Sequence, residues 1–389
     1  MMFTKKIGLY TEATYSSKFN SIHSSDIFLL FIRQAFPKNE IHLIGRYFKD
    51  NKEGKYKLQP GKEHFSKLSY YKNIAKLIMQ FPYYIFINYQ VIKFYIKKID
   101  HLLIAVPSPL SLYLVYLAKK NNKTISIFIR QETVELIRHR YPKSKLPLIT
   151  ALFLEKLLTI FLKRNQNIPV FTFGTMITEK YKKITSNVIP IADTRYSLND
   201  IISESDIKRI DWQCQIKLIF VGRIEKAKGI ENLLETLKRI KEYNFHLTIV
   251  GDGNFKSEYS ALTKKLEINN NVSFTGFIPY GENLLSIIKE HDIFILPSLS
   301  EGLPQVILEA MACGILVLAS NVGGIPLIVK NGFNGFTFNP NSDTELKEII
   351  LNLKESKFDN LLICREALKT ASQYSSESQI SILLNNMDY

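Results

Sequence analysis

Two carboxylates stand close together in the stretch SLSEGLPQVILEAMACG, residues 298–314. Glu301 lies beside a Gly-Leu-Pro sequence, and Glu309 follows eight positions later inside an otherwise apolar run. A buried, unpaired carboxylate is strongly disfavoured, so Glu309 needs either hydroxyl donors or a cation. Two interpretations follow: the hydroxyls of a bound ribose, or a structural ion pair with a neighbouring lysine or arginine.

The same stretch carries the signals of a helix that begins beside an anion site. Pro304 suits the first turn of a helix, and Gly314 suits its C-terminal cap. Gly302 and Leu303 then offer free backbone N–H groups just ahead of the helix, whereas Pro304 has none to give. Anions are favoured there, because the N–H groups and the helix dipole point at the ligand.

A second charged pair, Arg223 and Lys228, lies in VGRIEKAKG, a turn that follows an apolar run. A guanidinium binds diphosphate oxygens through its fork, and an ammonium binds another oxygen as a point charge. Ordinary solvated charge is the alternative for an isolated loop of this composition. The position of the loop at a shared crevice favours the diphosphate.

That crevice is predicted by the alternation of strand-like and helix-like segments after Ile216. Apolar runs such as IKLIFV, FHLTIV, NVSFT and IFIL alternate with amphipathic segments, which indicates parallel βαβ units. Ligands bind at the carboxyl ends of the strands in such sheets. The candidates that follow these strands are Gly222 and Arg223, Gly251 and Asp252, Gly276 and Phe277, and Ser298 to Gly302.

The first half shows the same alternation less regularly, with helix-like runs at residues 28–36 and 149–163. The pattern breaks around SNVIPIADTRYSLND and then restarts. At 389 residues the chain is long enough for two cores. We therefore predict two doubly wound α/β lobes, residues 1–192 and 193–365, followed by a helical segment at 366–389.

Five motifs occur in one order: VGRIEKAKGI, VGDGN, FTGFIPYGE, LPSLSEGLPQVILEAMACGILVLAS and GGIPLIVKNGFNGFTF. In this order and spacing they resemble the retaining, nucleotide-sugar-dependent glycosyltransferases of family 4 (glycosyl transferases group 1). The likeness covers residues 216–340, and NVIPIADTRYS is similar to the family's interdomain segment. It implies the GT-B fold, in which two Rossmann-like lobes face a central cleft, and a final helix that crosses back to the N-terminal lobe.

The resemblance also implies residue roles. Glu301 matches the glutamate that contacts donor-sugar hydroxyls, and Glu309 matches the one that holds the nucleotide ribose. Arg223 and Lys228 match the pair that neutralises the donor diphosphate, so they and Glu301 are the expected catalytic residues. The other expected donor contacts are Gly222, Gly251, Asp252, Gly276, Phe277, Ser298, Gly302, Leu303 and Pro304. No Asp-x-Asp pair occurs in the chain, which agrees with a family that needs no metal, and we expect no cofactor.

The N-terminal half departs from the family pattern. The family's early Gly-Gly turn is replaced by TEATYSSKFNSIHSSD, in which Ser16, Ser17 or Ser24 could contact a phosphate or the acceptor. Arg130 stands where the family often has a histidine, and either contacts acceptor or sugar or lies on the surface. His23 raises the alternative of an inverting enzyme with a histidine base, although we favour a solvated histidine.

The charge of the chain is divided unevenly. The formal net charge is +15; residues 1–190 contain 31 Lys and Arg against 11 Asp and Glu, whereas residues 191–389 contain 20 against 25. A basic lobe attracts polyanions, either nucleic acid or an anionic membrane, although free use of lysine alone gives the same count. Three scattered cysteines and the lack of an apolar signal-peptide core lead us to expect a cytoplasmic protein.

The segment FPYYIFINYQVIKFYIKK, residues 81–98, mixes aromatic residues with lysines. The uncharged run from 77 to 92 is too short and too polar for a membrane span. The segment suits a lipid interface, or alternatively a buried core helix. We expect peripheral binding to the inner face of the cell membrane that weakens with salt.

The expected function is retaining, metal-independent transfer of a hexose-type sugar from a nucleotide diphosphate sugar. The expected acceptor is a hydroxyl of a lipid-linked cell-envelope glycan, as in lipopolysaccharide or capsule synthesis. One alternative is a non-catalytic nucleotide-sugar-binding subunit; another is nucleic-acid binding, for which the chain carries no recognisable motif. The full set Arg223, Lys228, Glu301 and Glu309 favours the enzyme.

Overall fold

The computed structural model describes residues 5–18, 21–24, 26, 28–48, 56–71, 77, 80–140, 145–342 and 344–387. The chain forms two compact units: unit 1 (Met1–Asp193 with Ile380–Tyr389) and unit 2 (Thr194–Gln379). The final helical segment was expected to begin at residue 366. In the structure residues 366–379 belong to unit 2, and the residues from 380 onward belong to unit 1.

Unit 1 is built on a sheet of nine described strands. These are β1 (Ile7–Lys18), β2 (Ser21–Ser24), β3 (Ile41–Phe48), β4 (Tyr56–Lys57), β5 (Glu63–Leu68), β6 (His101–Ala105), β7 (Thr124–Ile129), β8 (Val170–Thr172) and β9 (Val188–Pro190). Seven of them run parallel in the order β5-β3-β1-β6-β7-β8-β9. The central strands β6 and β7 are mostly apolar and buried, because both faces of such a sheet are covered.

The segment that departs from the family pattern forms a β-hairpin. The second half of β1 pairs antiparallel with β2, so that Ser16 lies opposite His23 and Ser17 lies opposite Ile22. β4 extends this branch by pairing antiparallel with β2. Serines 16 and 17 are therefore strand residues.

Helices cover both faces of the unit 1 sheet. They are α1 (Phe28–Ala35), α2 (Phe81–Lys98), α3 (Pro109–Lys120), α4 (Thr133–Arg140), α5 (Lys145–Lys163) and α6 (Thr175–Lys182). From Ile380 onward, α14 (Ser376–Asn385) also belongs to unit 1. Buried residues of α2, α3, α5 and α6 share one apolar cluster, and those of α1 share another with Leu383 of α14. The helix expected at 28–36 is confirmed.

Unit 2 is a six-stranded parallel sheet with the order β12-β11-β10-β13-β14-β15. Its strands are β10 (Ile216–Val221), β11 (Phe245–Val250), β12 (Val272–Gly276), β13 (Ile293–Leu296), β14 (Leu316–Ser320) and β15 (Phe336–Phe338). Its helices are α7 (Ile230–Lys238), α8 (Lys256–Lys265), α9 (Glu282–Lys289), α10 (Gln305–Ala312), α11 (Ile325–Ile328), α12 (Glu345–Lys354) and α13 (Asn360–Gln373). The alternation predicted after Ile216 is confirmed.

The ends of α10 follow from its sequence. Gly314 has φ of 68° just after the helix, a left-handed conformation that glycine adopts without steric cost. At the other end, the helix begins at Gln305, so Pro304 stands immediately before it and not in the first turn as expected. All residues of α10 from Ile307 to Ala312 are buried, and Glu309 is one of them.

Candidate functional site at the carboxyl edge of the unit 2 sheet

Glycines hold the carboxyl ends of three neighbouring strands together. The Gly222 N–H donates to Val250 O, and the Gly251 N–H donates to Gly276 O, each at 2.9 Å. Gly251 has φ of 145°, and a Cβ there would overlap the carbonyl oxygen of Gly222. The structure thus brings Gly222, Gly251 and Gly276 together as predicted, because only glycine permits so close an approach of two backbones.

Asp252 and Phe277 stand beside these glycines. The Asp252 carboxylate accepts a hydrogen bond from the Gly253 N–H at 2.9 Å, and the backbone carbonyl of Asp252 accepts one from Ile224 at 3.0 Å. Phe277 is exposed. A large exposed ring on the ligand edge of a sheet is available for stacking.

Lys228 and Glu301 form the central ion pair of the site. Lys228 Nζ lies 2.6 Å from Glu301 Oε1, and the same oxygen accepts a hydrogen bond from the Ser298 hydroxyl at 2.6 Å. The side chains are 18% and 11% exposed. Two of the predicted residues are therefore in contact, and they are shielded enough for the pairing to be stronger than on an open surface.

The backbone explains why the loops after β10 and β13 meet here. Gly229 is in the left-handed conformation, and a Cβ at this position would overlap the carbonyl oxygen of Pro297. The Leu299 N–H donates to Ala227 O at 2.8 Å. These contacts place the lysine of one loop against the glutamate of the other.

Gly323 and Gly324 complete the cradle, and the sequence analysis did not assign them to the site. A Cβ on Gly323 would overlap the carbonyl oxygen of Glu301, and one on Gly324 would overlap that of Gly302. The Gly324 N–H also donates to Gly302 O at 2.8 Å. The signal was the Gly-Gly pair that follows a strand in LVLASNVGG.

Glu309 is 4% exposed and is the fifth of the eight residues of α10. Burial raises its pKa from 4.5 to about 7, and the charge of Arg195 opposes this increase. Among the described residues its carboxylate has no ion pair within 4.0 Å and no hydrogen bond. The ion-pair interpretation therefore lacks a partner in the described structure, and hydroxyl donors remain the chemistry that would satisfy this group.

Arg195, Tyr196 and Tyr280 lie close enough to Glu309 to interact with it electrostatically, and none of them was predicted to belong to the site. The Arg195 guanidinium lies 5.5 Å from the centre of the Tyr280 ring. Burial raises the pKa of Tyr196 and Tyr280, and the nearby Glu309 charge raises both further. Arg195 comes from TRYS near the start of unit 2, so no local pattern could have connected it with α10.

Arg223 is placed apart from this cluster. Its side chain is 75% exposed, and its guanidinium pairs with Glu225 at 3.0 Å. In the described part of the chain no hydrogen bond or ion pair joins Arg223 to Lys228 or Glu301. The predicted cationic pair therefore consists of one lysine in the site and one arginine that projects from the loop after β10.

The start of α10 presents polar backbone near the same loops. Gly302 and Leu303 precede Pro304, and the carbonyl of Gly302 is engaged by Gly324. Gln305 Oε1, at the first position of the helix, is buried and has no hydrogen-bond partner. An unsatisfied buried amide oxygen is costly, so Gln305 is a further candidate for contact with a bound molecule.

The candidates in unit 1 are engaged with protein groups. The Ser17 hydroxyl lies 2.5 Å from the Tyr47 hydroxyl. Arg130 pairs with Asp26 at 3.1 Å and Asp193 at 3.5 Å, and its guanidinium lies 4.9 Å from the centre of the Phe28 ring. Two carboxylates thus balance the charge of Arg130, for which contact with sugar or acceptor was one of two alternatives.

His23 and Ser24, the other two candidates of the hairpin, are both buried. His23 is 6% exposed, so the interpretation as a solvated histidine is wrong. The hairpin strand β2 carries it inward. The Ser24 hydroxyl is also buried and accepts a hydrogen bond from the Asp26 N–H at 3.1 Å.

One group of metal-ligating side chains occurs among the described residues, and it lies in unit 1. Glu40 Oε2 is 3.3 Å from His42 Nε2 and 3.8 Å from His64 Nε2. These residues stand near the amino ends of β3 and β5, the edge of a parallel sheet opposite to the one that binds ligands. No described helix is long and apolar enough to cross a membrane.

Comparison with known proteins gives a partial match to one family model. Residues 204–373 match the model described as glycosyl transferases group 1. Four curated relatives, three from Methanocaldococcus jannaschii and one from Haemophilus influenzae, are uncharacterized glycosyltransferases at 31–37% identity. The chain spans only 32–46% of the length of these relatives.

Two further relatives extend the comparison. Protein CapJ of Staphylococcus aureus is 28% identical over 345 residues, which cover 87% of this chain and 80% of that protein. The amylovoran biosynthesis glycosyltransferase AmsK of Erwinia amylovora is 27% identical over 184 residues, 44% of this chain and 45% of that protein. Together with the family model, these matches support a group 1 glycosyltransferase.

The fold is shown by solved structures that cover nearly the whole chain. Anabaena HepE, crystallised in complex with UDP, superposes with a TM-score of 0.69 and 18% identity over 98% of this chain and 99% of that one. The chain therefore has the GT-B glycosyltransferase fold with two Rossmann-like lobes. The predicted fold is confirmed.

Proposed function

We propose that the chain is a retaining, metal-independent hexosyltransferase of family 4. Its donor is a nucleotide diphosphate sugar, and its acceptor is a hydroxyl of a growing, lipid-linked cell-envelope glycan at the cytoplasmic face of the membrane. AmsK is described as an amylovoran biosynthesis glycosyltransferase, and HepE was crystallised with UDP. The first description supports a role in glycan synthesis, and the second supports a nucleotide-linked donor.

The observation that carries the proposal is the buried carboxylate of Glu309. A group that is 4% exposed and titrates near neutrality needs donors that balance its charge. A ribose supplies two adjacent hydroxyls, which can both donate to one carboxylate. With the ribose on Glu309, the diphosphate is expected to contact the loops that carry Lys228 and Gly302.

Each residue then has a task in the transfer. Negative charge develops on the diphosphate as the glycosidic bond breaks, and a fixed ammonium at Lys228 stabilises it. Glu301, hydrogen-bonded by Ser298, is held in one orientation from which it can accept hydrogen bonds from sugar hydroxyls. Arg223 can swing from Glu225 onto the phosphates, because three quarters of its side chain is exposed.

The experiment begins with a thermal-stability screen of UDP-, GDP- and ADP-sugars. A donor present at 100 times its Kd is expected to add about 2.7 kcal/mol to the free energy of unfolding. Release of nucleoside diphosphate is then measured after addition of a lipid extract. A nucleotide-sugar-binding subunit would bind a donor without such release, and that result would replace the enzyme with the non-catalytic alternative.

The stereochemistry and metal requirement have their own readouts. NMR of the product is expected to show the anomeric configuration of the donor. Turnover is expected to survive a chelator, because Lys228 and Arg223 take the place of a metal at the diphosphate. An inverted product, or loss of turnover on chelation with recovery on adding Mg²⁺ or Mn²⁺, would contradict these parts of the proposal.

A further inference from the structure

Helix α5 of unit 1 is apolar on two opposite faces. One face is buried and consists of Ala151, Leu154, Leu158 and Leu162. The opposite face is exposed and carries, at helical spacing, Leu146, Ile149, Leu152, Phe153, Leu157 and Ile160. Ile149 is 60% exposed and Phe153 is 57% exposed. A helix that only covers a core keeps its outer face polar, so this outer stripe requires another explanation.

Helix α2 presents a similar outer face. Its buried side packs on the sheet through Tyr84, Ile92 and Tyr95, whereas Tyr83 and Phe86 point outward, with Phe86 79% exposed. The core-helix interpretation of residues 81–98 is thus confirmed for one face, and the interfacial interpretation stays a prediction for the exposed face.

The two stripes lie on the same side of unit 1. α2, α3 and α5 pack side by side over one face of the sheet, with α3 between the others. Phe81 of α2 contacts Tyr113 of α3, with ring centres 6.4 Å apart, and Lys119 of α3 lies 5.8 Å from the centre of the Phe161 ring of α5. The exposed Tyr116 of α3 adds to the apolar surface between the two stripes.

Lysines accompany this surface, and acidic residues are nearly absent. The sequences of α2, α3 and α5 contain three, two and three lysines, and one glutamate. That glutamate, Glu155, is turned to neighbouring protein groups: it accepts a hydrogen bond from the Tyr181 hydroxyl at 2.6 Å and pairs with Lys180 at 2.8 Å. Lys93 and Lys98 lie against the exposed rings of Tyr89 and Phe94.

We propose that the outer face of α2, α3 and α5 is a docking surface for an anionic lipid bilayer, with the α5 stripe inserted among the acyl chains. Aromatic and aliphatic side chains flanked by lysines fit the boundary between acyl chains and anionic headgroups. A protein partner is less well matched, because exposed lysines are depleted in the cores of protein interfaces. The inference rests on the proposed function insofar as it explains how unit 1 reaches a lipid-linked acceptor.

The proposed surface also determines which edge of the unit 1 sheet lies near the membrane. The helices run antiparallel to the strands that they connect, so the amino ends of α2 and α5 lie at the carboxyl edge of the sheet. Phe86 and Ile149 lie in these amino-terminal portions. The inserted surface therefore adjoins the edge at which such sheets bind their ligands, which is where a lipid-anchored acceptor has to arrive.

The test is co-sedimentation of the full chain with vesicles of phosphatidylcholine alone and of an equal mixture with phosphatidylglycerol. Wild type is expected to bind the anionic vesicles, with partial retention at high salt, because salt screens the lysines but leaves apolar insertion intact. The triple variant Ile149→Ser, Phe153→Ser, Leu157→Ser is expected to bind about 100-fold more weakly. The matched control is Phe333→Ser with Leu362→Ser, two exposed apolar residues of unit 2, which is expected to bind like wild type.

A second measurement keeps the α5 stripe apolar. The chain has a single tryptophan, so Phe153→Trp in a Trp212→Phe background reports on the stripe alone. Its emission is expected to shift to the blue on adding anionic vesicles, and brominated lipids are expected to quench it. Leu362→Trp in the same background is expected to do neither.

Several outcomes would overturn the inference. The first is that the triple variant binds vesicles as well as wild type does, and the second is that wild type binds neither kind of vesicle. The third is that the Phe153→Trp emission does not shift. The fourth is that wild type is a dimer and the triple variant is not. Donor affinity of the triple variant, measured in parallel, separates this inference from the proposed function. Retained donor binding with lost vesicle binding supports the docking surface, whereas absent donor binding in wild type contradicts only the proposed function.

Discussion

Replacing Glu309 with Gln measures what the buried carboxylate costs. Burial raises its pKa from 4.5 to about 7 in the folded protein. Between these values the folded state keeps a proton that the unfolded chain has released, so stability falls as the pH rises, and the cost is complete above pH 7. At about 1.36 kcal/mol per pKa unit, the full cost is about 3 kcal/mol.

We therefore expect Glu309→Gln to raise the free energy of unfolding by about 3 kcal/mol at pH 8 and by less than about 1 kcal/mol at pH 5. Urea denaturation followed by circular dichroism at both pH values measures this difference. Glu242→Gln, a change at an exposed position of the same unit, is the control and should leave the pH dependence unaltered. If Glu309→Gln and wild type lose stability equally between pH 5 and pH 8, the reasoning is refuted.

The donor provides a second check on the same residue. Hydroxyl donors prefer the ionised carboxylate, so a ribose bound there lowers the pKa of Glu309 and binds more tightly as the pH rises from 6 to 8. Glu309→Gln is expected to weaken donor binding and to remove its pH dependence over this range. A donor affinity that varies with pH equally in both proteins would place the ribose elsewhere.

Three further predictions concern the loops and the ion pair. Lys228→Ala is expected to lower turnover by about 10²–10³ through lost stabilisation of the leaving diphosphate, whereas Lys226→Ala in the same loop should leave steady-state rates near wild type. Gly323→Ala is expected to lower the melting temperature more than Gly61→Ala: both replace a glycine with positive φ, but only the first places a Cβ against a backbone oxygen. Arg130→Ala removes the guanidinium that pairs with Asp26 and Asp193 and is expected to destabilise the protein by about 1–3 kcal/mol. Arg138→Ala is the control, and equal denaturation midpoints for the two variants would contradict this prediction.

The fold of unit 2 was largely predictable, because parallel strands that are covered on both faces consist of continuous apolar sequence. IKLIFV, FHLTIV and IFIL each became a strand, and the residues after them met at one edge. The hairpin of β1 and β2 was not predicted. Its residues, TYSSK and SIHS, are mostly small and polar, and the partner strand supplies the hydrogen bonds that hold them extended.

The site was predictable where neighbours in sequence carry the chemistry, and less so where distant segments meet. Lys228 and Glu301 were assigned roles, but their direct ion pair depends on the packing of Gly229 against Pro297. Arg195 reaches Glu309 from a segment more than 100 residues away. The exposed apolar stripe of α5 was not predicted either. A helix with apolar residues on both faces has the same sequence pattern as a helix that is buried on all sides.

The central claim is that Lys228 and Glu309 bind the nucleotide sugar. Its most direct test is calorimetry, which measures the dissociation constant of the nucleotide sugar selected by the thermal screen. The measurement compares wild type with the double variant Lys228→Ala, Glu309→Gln. The account predicts that the double variant, although folded, binds the donor at least about 100-fold more weakly, since it removes both the diphosphate cation and the ribose acceptor. Equal dissociation constants for the two proteins would contradict the account.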